Sequence, residues 1–327
     1  KVNPYQIVAN NGKFYLIATD LCIGTGDGTH TWATSQSISE SSKYIRVWES
    51  EDLVNWSDSW LAKVGITTSS YTWAPEVIWS EEDQMYMIYY AAGNTNDPDN
   101  SSSAWQSRTW YVLTEDFKTF TEPRLYASSV NDEGQIDMDI VYAGDNTYYR
   151  ISSSYPDMMI EKSTNGLFGD WEVVSSLQDL GLNYGAAGNT TDGIMIVEGP
   201  EIFMYNSDDI GDYEEVWGIL LDNYGGIGYF PICTTDLGST SGTTYFTTDY
   251  DFGSTTKRHG TILNITAEEY EAVMAKWGEG VEVPEGSGFS TADATKMSEE
   301  PLLLYTFESG DATDTGEGDT NSYDGTL

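Results

Sequence analysis

The feature that most restricts the fold of this chain is a hairpin that recurs along it. Four segments show an apolar strand, a turn with Asn, Asp or Gly, and a second apolar strand, a pattern typical of β-hairpins. They are residues 3–17, 73–90, 137–151 and 198–221. A shift of 134 residues superimposes the first segment on the third, so that Asn3 falls on Asp137. We therefore expect one repeated unit per hairpin, with polar groups such as Asp137 and Glu198 at corresponding places.

A second motif follows each hairpin. A strand leads into an acidic or amide turn and then a large apolar residue, and the turn residues are Asp52, Asp116, Asn165 and Asp236. Their spacings of 64, 49 and 71 residues are somewhat longer than the common blade repeats of about 40–50 residues. Hairpin and turn together predict a β-propeller, an all-β fold whose innermost strands begin around a central channel. Residues at the starts of different blades then meet, although 61 positions separate Asp137 from Glu198.

Composition agrees with an all-β domain and narrows the range of partners. The 327 residues include 44 aromatic residues, 32 glycines and a single clear helical pattern. With 53 acidic and 14 basic residues the formal net charge is −39. A negative charge of this size repels nucleic acid and anionic membranes and favours solubility in an extracellular medium. No run of 18 apolar residues is present, so no membrane span is expected.

The two cysteines, Cys22 and Cys233, are too few for a disulfide framework, and no Cys/His cluster has the spacing of a zinc site. We expect both thiols to be buried as small apolar side chains.

The chain divides into three parts. Residues 1–278 form the propeller and end in a helix over 266–277, with Thr266 as N-cap and Gly278 as its end. Residues 279–300, rich in Gly, Glu, Ser and Thr, are expected to be a linker. Residues 301–327 begin a new apolar strand. Because Lys1 opens almost directly into a strand with no signal peptide, we expect a fragment of a longer secreted protein, monomeric as it stands.

Several motifs resemble glycoside hydrolase family 43, the exo-acting α-L-arabinofuranosidases and β-xylosidases. They lie in family order at residues 14–21, 47–56, 73–76, 116–120, 198–201 and 258–261. The resemblance spans residues 1–277 and implies a five-bladed propeller with inverting chemistry. Residues 301–327 resemble the opening of a laminin-G-like or concanavalin-like β-sandwich.

The resemblance implies roles for three residues. Inverting hydrolysis needs a carboxylic acid that protonates the leaving oxygen and a carboxylate that activates water. Glu198 matches the general acid and Asp137 the aspartate that modulates its pKa. At the base position the family has Asp-Pro, whereas this chain has Asn3-Pro4. An amide cannot take the proton, so either an engineered substitution has silenced the enzyme or a natural homologue is impaired. A misplaced register of the first residues is the third alternative, which the 134-residue superposition opposes.

Further candidates surround this centre. Trp73 is either a sugar-stacking wall or core, and Asp20 and Glu76 either bind sugar hydroxyls or cap turns. We expect Tyr224 to line the pocket and Arg258 to pair with a pocket carboxylate. His259 is either a core residue or, as the resemblance implies, lies beside calcium or another cation in the channel; no cofactor is required. The expected partner is an arabinose- or xylose-containing polysaccharide or oligosaccharide. The alternative is a carbohydrate-binding propeller without catalysis.

Overall fold

A computed structural model describes residues 12–21, 31–93, 107–127, 134–154, 157–180, 182, 184–185, 195–206, 210, 213–224, 226–238, 244–246, 250, 252, 256–278 and 302–306. Four antiparallel sheets dominate these residues. Sheet I contains β1 Phe14–Thr19, β2 Tyr44–Ser50 and β3 Trp60–Lys63. Sheet II contains β4 Trp73–Ser80, β5 Met85–Gly93, β6 Ser107–Thr114 and β7 Arg124–Ala127.

The other two large sheets repeat the same order of strands. Sheet III contains β8 Gln135–Gly144, β9 Thr147–Ser154, β10 Met159–Ser163 and β11 Glu172–Ser176. A short parallel pair, β12 Tyr184–Gly185 and β13 Met195–Ile196, precedes sheet IV. Sheet IV contains β14 Glu198–Met204, β15 Trp217–Asn223, β16 Gly228–Thr234 and β17 Thr244–Phe246. The predicted four-stranded unit is thus confirmed in sheets II to IV, and the fold is all-β as expected.

The remaining elements are two helices and one strand pair. The helices are α1 Trp32–Ser35 and α2 Ala267–Trp277, and the pair is β18 Gly260–Asn264 with β19 Leu302–Thr306. Helix α2 is confirmed to the residue, because Thr266 and Glu269 form the reciprocal capping box and Gly278 is the C-cap. Neither of the helices described is long and apolar enough to cross a membrane.

The first strands of successive sheets lie side by side, and apolar side chains fill the space between the sheets. Strand β4 contacts β8, β8 contacts β14, and β14 contacts β18. Sheets I and II bury Tyr15, Ile88 and Phe117 between them, the last with no exposed surface. At the other end, Leu263 of β18 and Val273 of α2 pack against Phe14 and Leu53 of the first unit. The end of the described chain therefore packs against its beginning.

The first strand of each full sheet starts with the same irregularity. Ala74, Asp137, Gly199 and, before β18, His259 have positive φ angles of 46°, 51°, 53° and 34°. At the first three of these residues the pairing with the neighbouring strand shifts in register, which is the signature of a β-bulge. A bulge bends the strand and redirects its side chains. Three strands therefore begin with the same bulge, and the segment before β18 shares the positive φ angle.

The bulges correct the expectation that Glu198 and Asp137 occupy matching positions in their sheets. Glu198 pairs with Asp222 just before its bulge, as Ile136 pairs with Ser153. Glu198 therefore corresponds to Ile136, one residue before Asp137, and the expected match between Glu198 and Asp137 is wrong by one position. The sequence superposition missed this because it was anchored on the second strands and did not include the bulge.

The acidic turns behave as predicted. Oδ1 of Asp52 accepts hydrogen bonds from the N–H groups of Val54 and Asn55 at 2.9 and 2.7 Å. Oδ1 of Asp116 accepts the equivalent hydrogen bonds from Lys118 and Thr119. An Asp side chain that satisfies the following backbone N–H groups stabilises the turn. These hydrogen bonds, of which the one from the Asn55 N–H has the largest effect, lower the pKa of Asp52 to about 2.

Cys233 is a free, fully buried thiol in β16, as expected, and Cys22 lies outside the described residues. So does the predicted linker, residues 279–300. Strand β19 pairs in antiparallel register with β18. This part of residues 301–327 therefore extends a sheet that begins within residues 1–278. That the residues after it begin a β-sandwich stays a prediction.

Candidate active site

The entry points of β4, β8, β14 and β18 surround one small cavity that opens to solvent. Its lining residues come from all four strand starts and from β16. They are Ala74, Glu76, Asp137, Met138, Gly199, Pro200, Glu201, Tyr229, His259 and Gly260. The repeated bulge thus delivers residues that are far apart in sequence to one place.

Asp137 and His259 line this cavity, and they form a cluster with Glu198, the residue before the lining residue Gly199. One ligand atom from each, two carboxylate oxygens and a ring nitrogen, lies within 4.8 Å of the other two. The three residues belong to three separate segments of the chain. The structure therefore brings together the two carboxylates that the sequence singled out, together with the histidine.

Asp137 is held at the edge of its strand by two hydrogen bonds. Its Oδ2 accepts from Ser153 Oγ at 3.2 Å and from the N–H of Gly199 at 3.3 Å. Burial raises the pKa of Asp137, and the charge of Glu198 raises it further, while His259 and the two hydrogen bonds oppose the rise. Asp137 is thus a carboxyl that remains protonated to higher pH than an exposed aspartic acid.

Two cations hold Glu198. Nη2 of Arg258 donates to its Oε1 at 2.8 Å, and Nε2 of His259 lies 3.3 Å from the same oxygen. Burial lowers the pKa of His259, but the hydrogen bond with Glu198 and the charges of Asp137, Glu198 and Asp222 outweigh it and raise the pKa to about 9. At neutral pH His259 is therefore an imidazolium that can give a proton to its neighbours.

Asp222, which is not among the site residues predicted from the sequence, completes this network. Its Oδ2 accepts from Nε of Arg258 at 2.9 Å and lies 3.4 Å from Nε2 of His259, and the residue is fully buried. Burial raises the pKa of Asp222 to about 6, although the charges of His259 and Arg258 oppose it. The expectation that Arg258 pairs with a pocket carboxylate agrees with these contacts.

The donor set of Asp137, Glu198 and His259 is one that a divalent cation could take. Two cations already lie at one oxygen of this set, because Arg258 Nη2 is 2.8 Å and His259 Nε2 is 3.3 Å from Glu198 Oε1. A metal ion would have to displace the proton that His259 holds at neutral pH, because a metal ligand must be deprotonated. As arranged, the residues form a hydrogen-bonded, proton-carrying network.

A second layer of carboxyl groups, of which Glu76 and Glu201 line the cavity, accompanies the first. Glu76, Asp139 and Glu201 each stand two residues after a positive-φ residue. Asp139 accepts from the N–H groups of Ile140 and Ile202 at 2.8 and 2.6 Å, and Glu201 accepts from Thr261 Oγ1 at 2.7 Å. Burial raises the pKa of Asp139 to about 7. Burial, and then the charge of Asp139, also raise those of Glu76 and Glu201.

The other sequence candidates lie at different distances from this centre. Trp73 opens β4 and stacks on Tyr71 with ring centroids 4.2 Å apart, and the ring of Tyr224 lies 5.9 Å from the Arg258 guanidinium carbon. Asp20 is ion-paired with Arg46 at 3.0 Å and accepts from Ser42 Oγ, and it does not line the cavity. Asn3, the base position, lies outside the described residues.

A group of carboxyl side chains beside a cavity is an arrangement that glycoside hydrolysis can use, and the family of the chain gives this class of protein. The sequence family described as a probable glycosyl hydrolase domain matches residues 2–271, and the chain belongs to this family. Its resemblance to glycoside hydrolase family 43 is confirmed at this level. Residues of the chain are 29% identical over 127 positions to an α-L-arabinofuranosidase of Bifidobacterium longum subsp. longum. That match covers 35% of this chain and 11% of the relative, so the chain spans about a tenth of the relative's length.

Solved structures are similar to this chain at low sequence identity. An endo-arabinase from Bacteroides thetaiotaomicron is 14% identical with a TM-score of 0.50, over 80% of this chain and 84% of that one. An α-L-arabinofuranosidase from Lactobacillus brevis is 13% identical with a TM-score of 0.48, over 80% and 78%.

Proposed function

We propose that this chain carries the catalytic centre of an inverting, exo-acting glycoside hydrolase that releases a terminal pentose, α-L-arabinofuranose, from plant polysaccharide or oligosaccharide. The observation that carries the proposal is the meeting of Asp137, Glu198 and His259 within 4.8 Å, beside the cavity that Asp137 and His259 line. Membership of the glycosyl hydrolase family supports the reaction class. The arabinofuranosidase relative supports the choice of sugar over xylose. An extracellular location accords with the net charge of −39.

We assign proton donation to Glu198. Hydrolysis of a glycoside requires a proton on the leaving oxygen as its bond to the sugar breaks. Once Glu198 has given its proton, the negative charge appears on a side chain whose Oε1 already faces Arg258 at 2.8 Å and His259 at 3.3 Å. Preorganised cations stabilise a charge where it develops. Asp137, fixed by Ser153 and Gly199, is assigned the role of modulator beside it.

We assign the base position to Asn3 and propose that the fold is the five-bladed propeller implied by the family resemblance. Sheets II to IV have four strands each and sheet I has three in the described part of the chain. Because the Asn3 amide cannot accept a proton from water, the chain as it stands is impaired or silenced as a hydrolase.

The test is restoration of the carboxylate. Hydrolysis of aryl α-L-arabinofuranosides and aryl β-xylosides is compared between the unmodified chain and Asn3→Asp, with Asn3→Ala as the matched control. General base catalysis contributes about 10²- to 10⁴-fold, and we expect a gain of this size for Asn3→Asp alone. The gain should vanish in the double variant Asn3→Asp/Glu198→Gln on substrates with a poor leaving group.

The other outcomes identify the alternatives. Preferential hydrolysis of the xyloside indicates a β-xylosidase. Sugar binding with no hydrolysis in either protein indicates a carbohydrate-binding propeller and contradicts the proposal.

A further inference from the structure

We propose that Asp222 is a positioning residue of this centre, which holds the Arg258 guanidinium against the general acid Glu198. The inference rests on the proposed function and deepens it. It starts from the strand register: Asp222 of β15 lies directly opposite Glu198 of β14. Cross-strand neighbours have their side chains on the same face, and two like charges in this arrangement repel each other.

The equivalent positions of the sister sheets show that the fold does not require a carboxylate here. Ala91 stands opposite Trp73 in sheet II, and Ser153 stands opposite Ile136 in sheet III. Asp222 alone of the three is acidic, and it is fully buried. A buried charge is costly unless it is paired. The sister positions therefore indicate that this carboxylate serves the site and not the hairpin.

Ser153 supports this interpretation. It occupies the position equivalent to Asp222, and its Oγ donates to Asp137 Oδ2 and accepts from the N–H of Gly199. The second strand thus supports a residue of the centre in sheet III as well. In both sheets this position faces the cluster of Asp137, Glu198 and His259.

The geometry of Arg258 gives the physical mechanism. Its Nε donates to Asp222 Oδ2 at 2.9 Å and its Nη2 donates to Glu198 Oε1 at 2.8 Å. The guanidinium is a rigid planar fork, so fixing Nε on Asp222 also fixes the direction of Nη2. The other oxygen, Oδ1, is buried without a hydrogen-bond partner among the described residues. Asp222 therefore uses its one paired oxygen to aim Arg258, although half of its bonding capacity is unused.

The test uses Asp222→Asn, which keeps the shape of the side chain and removes its charge. In the Asn3→Asp chain we expect kcat on a poor leaving group to fall about 10- to 100-fold, the cost of a small displacement of a catalytic group. KM should change much less. An activated aryl leaving group needs little help from the proton of Glu198, so the loss there should be smaller.

The matched control is Glu161→Gln, which breaks a buried ion pair with Arg150 at 2.8 Å in sheet III. It should lower stability without changing kcat or its dependence on the leaving group. A purely structural role for Asp222 predicts the same behaviour in both variants, and that result overturns the proposal.

A second measurement needs no activity. Hydrogen exchange of the Arg258 Nε–H is followed by NMR in the unmodified chain, which has only five arginines, and the signal is assigned by its loss in Arg258→Lys. We expect exchange to be at least about tenfold faster in Asp222→Asn and unchanged in Glu161→Gln. Unchanged exchange in Asp222→Asn overturns the positioning role. If Asn3→Asp hydrolyses nothing, the proposed function fails. The exchange rate of the Arg258 Nε–H then still tests whether Asp222 holds the guanidinium in place.

Discussion

Asp139 should make the protein less stable as the pH rises from 4 to 7. The residue is 7% exposed, and its carboxyl group belongs to the layer shared with Glu76 and Glu201. Burial raises its pKa from 3.8 to about 7, a difference worth on the order of 4 kcal/mol at 1.36 kcal/mol per unit. Because the folded state holds this proton more tightly than the unfolded state, its contribution is complete below pH 4 and is lost as the pH rises through 7.

Asp139→Asn tests this reasoning because an amide does not ionise. The two oxygens of Asp139 accept from Ile140 and Ile202, and an asparagine can accept only one of these bonds. We therefore expect the variant to be less stable than the parent at pH 4 to 5 by about 1–3 kcal/mol. The difference should shrink or reverse by pH 8, since the variant escapes the cost of ionisation.

The assay is urea unfolding at intervals from pH 4 to 8. Asp52→Asn is the matched control, because the pKa of Asp52 is lowered to about 2. The stabilising effect of Asp52 is present above pH 4 and lost below it. Between pH 5 and 8 the free energy of unfolding of Asp52→Asn should therefore change with pH as it does in the parent. If the free energy of unfolding changes with pH equally in the parent and in Asp139→Asn, this carboxyl group ionises without penalty and the reasoning is refuted.

Two further predictions concern the centre itself. Glu198→Gln in the Asn3→Asp chain should abolish hydrolysis of substrates with poor leaving groups while sugar binding, measured by calorimetry, is retained; an unchanged rate would remove Glu198 as the acid. Gly199→Ala should be destabilised by about 1–2 kcal/mol through its φ of 53°, and it should also lose activity in the Asn3→Asp chain, because the added Cβ lies 2.7 Å from the His259 ring. Gly144→Ala, with φ of 91° but no atom within 4 Å, is the control, and it should lose stability only.

Short-range signals could be predicted from the sequence because their physics is local. The N-cap Thr266, its partner Glu269 and the end at Gly278 are all within one helix, and the side chains of Asp52 and Asp116 bond to residues two and three positions further on. Strand alternation and repeated turns likewise placed the hairpins. Each of these features is decided by neighbours in sequence.

The centre was predicted only in part because its assembly depends on the bulges. The positive-φ residues Ala74, Asp137, Gly199 and His259 share no chemical character, so nothing in their identity marks a bulge. The bulges decide which side chains face inward. Asp222 was missed because its partners lie 24 and 36 residues away.

One sequence signal could have revealed the second layer. When the strand starts are stacked, Glu76, Asp139 and Glu201 recur at the same offset before an apolar run. Acidic residues at such places are usually exposed, and here Asp139 and Glu201 are buried. Only long-range packing, with Thr261 of β18 against Glu201, shows where they lie.

The most direct test of the central claim is a crystal structure of the unmodified chain with an arabinofuranose-containing oligosaccharide. The account predicts a terminal sugar in the cavity between β4, β8, β14 and β18, with its glycosidic oxygen within hydrogen-bonding distance of Glu198 and with Asp137 in contact with the same ring. A sugar bound on another face, with Asp137 and Glu198 touching none of it, would contradict the account.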